Sequence, residues 1–128
     1  MGNLFLVCMS RDTSELKCRL LWKLCRRHGW ATPVPRKALV DWALQDSDQG
    51  RGRTIVEDLL DEPYIGFQRG AGYSVRNDPD SQAQAAYRLK SVCGYTELQI
   101  EATLSRFQQA GGFAAYGEDD VLKTLKDW

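Results

Sequence analysis

The pattern of hydrophobic and polar positions is most informative between Gly50 and Asn77, near the middle of the chain. Apolar residues recur there at i, i+1, i+4 and i+5, which is helical spacing: Ile55, Val56, Leu59 and Leu60. Pro63 cannot continue a helix, and it biases the residue before it away from helical backbone angles. The pattern therefore predicts a short helix that ends just before Pro63.

A β-hairpin is predicted immediately after this helix. Tyr64–Gln68 and Tyr73–Arg76 are rich in the aromatic and β-branched residues that favour strands. Between the two runs, Gly70 and Gly72 can adopt the positive φ that a tight turn needs. Arg69 gives the tip of this hairpin a positive charge.

Two more helices are predicted upstream. The first spans about Thr13–His28, with Asp12 as its N-cap, and its core stripe consists of Leu16, Leu20, Leu21 and Leu24. The second spans about Pro35–Gln45, with its inner side formed by Leu39, Trp42 and Ala43. The polar stretch Asp46–Gly50 predicts a turn between this second helix and the third.

More helices are predicted downstream of the hairpin. Asp78 is placed to cap a fourth helix over Pro79–Val92. Thr96–Gln99 has the spacing of a capping box, and the apolar stripe that it opens continues to Gly111–Gly112. A last short helix is predicted over Glu118–Asp127. The chain thus divides into a head and a helical extension.

The order of helices and hairpin resembles the winged helix-turn-helix domain of transcription regulators, over roughly residues 14–76. The resemblance implies a mainly α fold with a small β-hairpin wing and a C-terminal helical extension. In this interpretation residues 1–77 are the winged helix-turn-helix head, and residues 78–128 are the extension.

The resemblance also implies sequence-specific binding of double-stranded DNA and a role in transcriptional regulation. The third helix would enter the major groove, and the wing would touch the backbone or the minor groove. The implied contacts are Arg51, Arg53 and Thr54 at the start of the third helix, Arg69 and Arg76 on the wing as cationic contacts, and Gln68 and Ser74 as neutral partners of phosphate.

Charge gives a mixed picture. Lys+Arg and Asp+Glu both number 17, so the net charge does not favour nucleic acid. Residues 1–40 nevertheless hold eight basic residues against two acidic ones, whereas residues 41–62 hold two against seven. Glu57, Asp58 and Asp61 fall on the outer side of the third helix, where carboxylates would oppose phosphates.

Three interpretations of these acids remain open. The start of the helix alone could enter the groove, or an acid could accept a hydrogen bond from a cytosine amino group. Alternatively, the winged helix binds protein within a larger assembly.

The apolar positions of the extension predict a homodimer. It carries more apolar positions than a three-helix head obviously needs: Ile100, Leu104, Phe107, Val121, Leu122, Leu125 and Trp128. Two-fold dimers of DNA-binding proteins match palindromic sites, and an exposed patch of this size would promote aggregation in a monomer. Packing of these residues within one chain is the other interpretation.

No constellation of catalytic or metal-ligating residues is visible. The lone His28 has no serine or cysteine motif beside it, and the four cysteines form no C-x-x-C pair. We therefore predict no enzymatic activity, no metal and no cofactor, with the cysteines as buried reduced thiols.

The chain is expected to be cytoplasmic and not bound to a membrane. The apolar run Leu4–Met9 is too short to span a bilayer, and it lacks the flanking features of a signal peptide. A strand or a packed arm is the predicted structure for this run.

Overall fold

The computed structural model describes residues 15–26, 33–44 and 49–125, with the backbone alone at residues 44 and 49–51. Its elements are α1 (residues 15–26), α2 (Arg36–Leu44), α3 (Gln49–Leu60), β1 (Ile65–Gln68), β2 (Gly72–Val75), α4 (Pro79–Ser91), α5 (Glu97–Thr103), α6 (Ser105–Gln109), α7 (Gly112–Ala115) and α8 (Glu118–Leu122). The predicted mainly helical fold with one small antiparallel hairpin is confirmed. The predicted arm Leu4–Met9 lies outside the described residues.

The strongest predicted helix starts are confirmed. The Asp78 carboxylate accepts a hydrogen bond from the Ser81 backbone N–H at 2.8 Å and caps α4. Before α5, Thr96 and Gln99 form the complete capping box, in which each side chain accepts from the other residue's backbone N–H. Local sequence alone therefore determines where both helices begin.

The sequence predicts one helix for the apolar stripe after the capping box, but the structure divides this stripe into separate helices. The backbone breaks at Leu104, whose φ of −102° and ψ of 86° are not helical. The break is stable because the side-chain oxygen of Gln82 accepts a hydrogen bond from the Phe107 N–H at 2.9 Å. This contact with α4 replaces a bond that a continuous helix would have supplied.

Two other predicted helix ends were wrong. α3 begins at Gln49, so the end of the predicted turn is already helical. α8 stops at Leu122, before the predicted end at Asp127. The Thr124 hydroxyl donates to the Val121 carbonyl at 2.7 Å, a local bond that competes with helix continuation. Residues 126–128 lie outside the described part of the chain.

A third segment of extended chain joins the hairpin. Val34 and Tyr73 exchange backbone hydrogen bonds of 2.7 and 2.8 Å, so the residue that precedes α2 pairs with β2. Within the hairpin, Ile65 pairs with Val75 and Phe67 with Tyr73. The hairpin is thereby fixed to the start of α2.

One apolar core runs through both the head and the extension. The buried cluster joins leucines of α1, residues of α2 and α3, the base of the hairpin, and α4, α5, α6 and α8, and Phe113 of α7 packs against it. Ile100, Leu104, Phe107 and Val121 are buried within it. These are residues on which the dimer prediction was based, so the single chain already covers most of that apolar surface.

The cysteine prediction was wrong for two residues. Cys18 of α1 and Cys93, just after α4, form a disulfide across 75 residues of sequence. Closing a loop of that length reduces the entropy of the unfolded chain, which corresponds to about 4 kcal/mol in the chain-entropy model. Cys25 is a buried free thiol, as predicted.

A buried ion pair connects the end of α3 to α4. Arg88 Nη2 lies 2.8 Å from Glu62 Oε1, and the two side chains are 4% and 8% exposed. Charges removed from water in this way are stable only when their partners remain in place.

The contact between Gly72 and Val34 generates a first prediction. A Cβ at Gly72, where φ is +129°, would lie 2.2 Å from the Val34 carbonyl oxygen. Gly72→Ala should therefore break both hydrogen bonds of the bridge and destabilise the protein by about 3 kcal/mol in denaturant titration. Gly70→Ala is the control, because φ is +81° there but nothing lies within 4 Å; it should cost about 1 kcal/mol. Equal losses would contradict a close approach at Gly72.

The buried ion pair generates a second prediction. Arg88→Met should reduce the free energy of unfolding by about 3–5 kcal/mol, because it leaves the Glu62 carboxylate buried without its cation. Lys90→Met, on the same helix, removes the cation from a surface pair with Glu97 and should reduce the free energy of unfolding much less, because water screens an exposed pair. Similar losses in the two variants, measured by denaturant titration, would show that burial does not matter here.

Candidate nucleic-acid interface

The sequence of α3 separates a buried face from a charged one. Gly52, Ile55, Val56 and Leu59 are buried against the core. Arg53 and Thr54, two of the predicted contact residues, are exposed. Arg51 lies in the same helix, but its side chain is outside the described part of the structure. The first turns of α3 therefore present an arginine and a hydroxyl to solvent.

The hairpin carries the remaining predicted contact residues. Gln68 and Arg69 are exposed beside the turn. Arg76 is exposed after β2, and its Cγ lies 3.2 Å from where a Cβ of Gly66 would be, so the absent side chain makes room for the arginine. Ser74 is half-buried opposite Gly66 and is the least accessible of these predicted contacts.

The acidic residues farther along α3 are largely neutralised by neighbouring helices. Arg36, at the start of α2, forms an ion pair with Glu57. Lys17 of α1 lies 3.6 Å from Asp58. Part of the basic surplus of residues 1–40 is thus used inside the domain to balance α3. Asp61 is exposed and has no ion pair among the described residues.

Among the predicted contact residues, three arginines keep their charge available to a partner. Arg53, Arg69 and Arg76 are exposed, and within the described ranges none of them pairs with a carboxylate. A guanidinium in that state can form bidentate hydrogen bonds to phosphate or to the major-groove edge of guanine. We call Arg53, Arg69 and Arg76 the free arginines below.

An open cavity adjoins the acidic half of α3. It has a volume of about 430 Å³ and is lined by Arg36, Glu57, Asp58, Leu60, Asp61 and Tyr73. Phe67 packs against Tyr73 with ring centroids 4.9 Å apart and is 64% exposed. Sequence reasoning placed Phe67 and Tyr73 in strands but did not identify them as surface features. Alternation could not have done so, because it places Phe67 on the same strand face as the buried Ile65, and Tyr73 on the same face as the buried Val75.

Comparisons of the chain with protein-family models, with curated proteins and with solved structures found no match. None of the helices described is long and apolar enough to cross a bilayer.

Potential metal ligands and buried titratable groups are the remaining chemical features of the described residues. No group of three or more histidine, cysteine or acidic side chains that could hold a metal ion lies within the described ranges. Burial raises the pKa of the Cys25 thiol to about 12, and it also raises the pKa of Tyr64 well above its usual value. Both groups stay protonated at neutral pH. The predicted lack of enzymatic activity, metal and cofactor remains a prediction.

The raised pKa of Cys25 generates a third prediction. At pH 8 only about one thiol in ten thousand would be ionised, and the thiolate is the reactive form. In a Cys8→Ser background with the disulfide intact, iodoacetamide should leave Cys25 unmodified in the folded protein by mass spectrometry. It should label Cys25 after unfolding in guanidinium. Rapid labelling of the folded chain at pH 8 would contradict the burial of this thiol.

Proposed function

We propose that residues 14–76 are a winged helix-turn-helix domain that binds double-stranded DNA and regulates transcription. The order of elements supports this proposal: α1, the Val34 bridge, α2, α3 and then the hairpin. In such a domain α3 would enter the major groove and the hairpin would serve as the wing. A cytoplasmic location is part of the same proposal.

The single observation that carries the proposal is the state of the free arginines. Each is exposed, and none is neutralised within the described part of the protein, although other cations near α3 are paired. They lie at the start of α3 and on the hairpin, which are the two parts of a winged helix that contact DNA. Contacts to phosphates would supply affinity, and contacts to base edges would supply specificity.

The acids of α3 favour entry of its first turns alone. Asp61 is eight residues beyond Arg53, which corresponds to about 12 Å along a helix axis. A tilted helix could therefore place Arg53 in the groove and keep Asp61 away from the phosphates. Because Glu57 and Asp58 are paired with Arg36 and Lys17, they repel DNA less than unpaired carboxylates would.

A homodimer remains part of the proposal, but on a smaller surface than the sequence predicted. Among the described residues, the exposed large apolar side chains of the extension are Val92 and Leu98, at 42% and 80% exposure. A two-fold dimer through this region would present two α3 helices to a palindromic site.

Protein binding is the second candidate function. The exposed Phe67 and the neighbouring cavity with its acidic lining favour it, because an exposed aromatic residue beside a polar rim is typical of a protein-binding surface. In that case the domain would bind another protein within a larger assembly, and duplex DNA would bind weakly or not at all.

The proposed function generates a fourth prediction, on the salt dependence of binding. Affinity for mixed-sequence duplex DNA should fall steeply as salt is raised, and Arg69→Ala should reduce the log–log slope by about one unit, because one phosphate contact is lost. Fluorescence anisotropy with a labelled duplex at several salt concentrations measures this.

Arg106→Ala is the matched control for this experiment. Arg106 is an exposed arginine of α6 with no ion pair among the described residues, and it lies outside the proposed interface. Its substitution should leave the slope unchanged. An unchanged slope in Arg69→Ala, or an equal change in both variants, would exclude Arg69 from the interface. Absence of DNA binding at low salt would favour the second candidate function.

A further inference from the structure

The disulfide joins two elements that are far apart in sequence and lie on different sides of the proposed domain boundary. Cys18 belongs to α1, in the head, and Cys93 follows α4, in the extension. Cys18 is buried, whereas Cys93 is half-buried and is the more accessible of the two residues. The bond therefore joins α1 covalently to the extension near a position that solvent can reach.

A second contact lies beside the disulfide. Trp22 of α1, one helical turn after Cys18, stacks on Tyr95, with ring centroids 4.2 Å apart and planes at 12°. Tyr95 follows Gly94, whose φ of +79° turns the chain after α4. The disulfide and the stacked rings thus both hold α1 against this turn.

The position of α1 also affects α3. Lys17, adjacent to Cys18 in sequence, is the residue that lies 3.6 Å from Asp58. If α1 moves away from α4, the distance between Lys17 and Asp58 is no longer fixed. A more negative α3 would then bind DNA less well, because its carboxylates oppose phosphates.

We propose that the Cys18–Cys93 disulfide is a redox-controlled clamp that holds α1 where Lys17 neutralises Asp58. Its effect on DNA binding rests on the proposed function, whereas its effect on α1 does not. Control by redox conditions rests on the cytoplasmic location proposed above, because disulfides that form inside cells are usually redox-sensing or catalytic ones.

The chemistry of opening needs a dithiol reductant. A thiolate of the dithiol attacks the sulfur of Cys93, the more accessible of the two residues, and the S–S bond breaks with release of the Cys18 thiolate. The second thiol of the reductant then displaces Cys93 from the mixed disulfide. Two electrons and two protons pass to the protein, giving two thiols, and the reductant becomes a cyclic disulfide. Buried Cys25 takes no part, because its raised pKa keeps it protonated.

The test compares the oxidised full-length chain with the same chain in dithiothreitol. Peptide mapping without reduction should first show the Cys18–Cys93 link. Reduction should then lower the thermal midpoint by about 10 °C, because loop closure no longer restricts the unfolded chain. Backbone amides of α1 should exchange with deuterium faster in the reduced form. Affinity for duplex DNA at low salt should fall about two- to fivefold on reduction.

Three variants serve as controls. Cys18→Ser with Cys93→Ser should behave like the reduced protein whether or not dithiothreitol is present. Cys25→Ala alters a buried cysteine of the same helix and should keep the full difference between oxidised and reduced forms. Lys17→Met keeps the disulfide and tests the coupling in a chain that is still clamped; its DNA affinity should be reduced already in the oxidised form and should change little on reduction.

The outcomes separate the clamp from the proposed function. Equal midpoints and equal exchange of α1 in the oxidised and reduced forms would overturn the clamp. Faster exchange with an unchanged DNA affinity would overturn the coupling through Lys17 and Asp58. If neither form binds DNA but α1 still exchanges faster after reduction, the proposed function fails and the clamp on α1 is upheld.

Discussion

The buried ion pair between Glu62 and Arg88 is the interaction on which the arrangement of the head depends. Glu62 is the second residue after the end of α3, and its carbonyl accepts a hydrogen bond from the Ile65 N–H at 3.1 Å, at the start of β1. Its carboxylate accepts a hydrogen bond from Arg88 of α4 at 2.8 Å. Both side chains are almost completely shielded from water. The pair therefore fixes the junction between α3 and the hairpin against the extension, and it is costly to break from either side.

Other contacts then determine the orientation of the hairpin. The Val34 bridge attaches β2 to the start of α2, and the Arg76 N–H donates to the Tyr64 carbonyl at 2.9 Å at the base. The absence of a side chain at Gly72 permits the close approach of Val34. The free arginines thus lie on a frame of hydrogen-bonded elements, with Arg53 in α3, Arg69 in the hairpin turn and Arg76 just after β2. The same frame leaves Phe67 exposed, so it serves either candidate function.

Features determined by neighbouring residues were predictable from sequence, and features determined by distant contacts were not. The caps at Asp78 and Thr96, the hairpin with its glycine turn and the exposure of Arg53 and Arg69 all follow from local patterns. The break at Leu104 depends on Gln82, and the disulfide joins cysteines separated by 75 residues. The ion pairs of Glu57 with Arg36 and of Asp58 with Lys17 could not be predicted either. Periodicity assigns charged residues to a helix face but does not identify their partners.

DNA binding through α3 and the hairpin is tested most directly by locating the contacting surface at residue resolution. Amide signals of the isotopically labelled full-length protein would be followed by NMR as a mixed-sequence duplex is added at low salt. The largest changes should fall on Arg53, Thr54, Arg69 and Arg76, and the signals of α6 and α8 should change little. Changes confined to the extension would contradict DNA binding through α3 and the hairpin. So would a spectrum that does not change when the DNA concentration is well above the protein concentration.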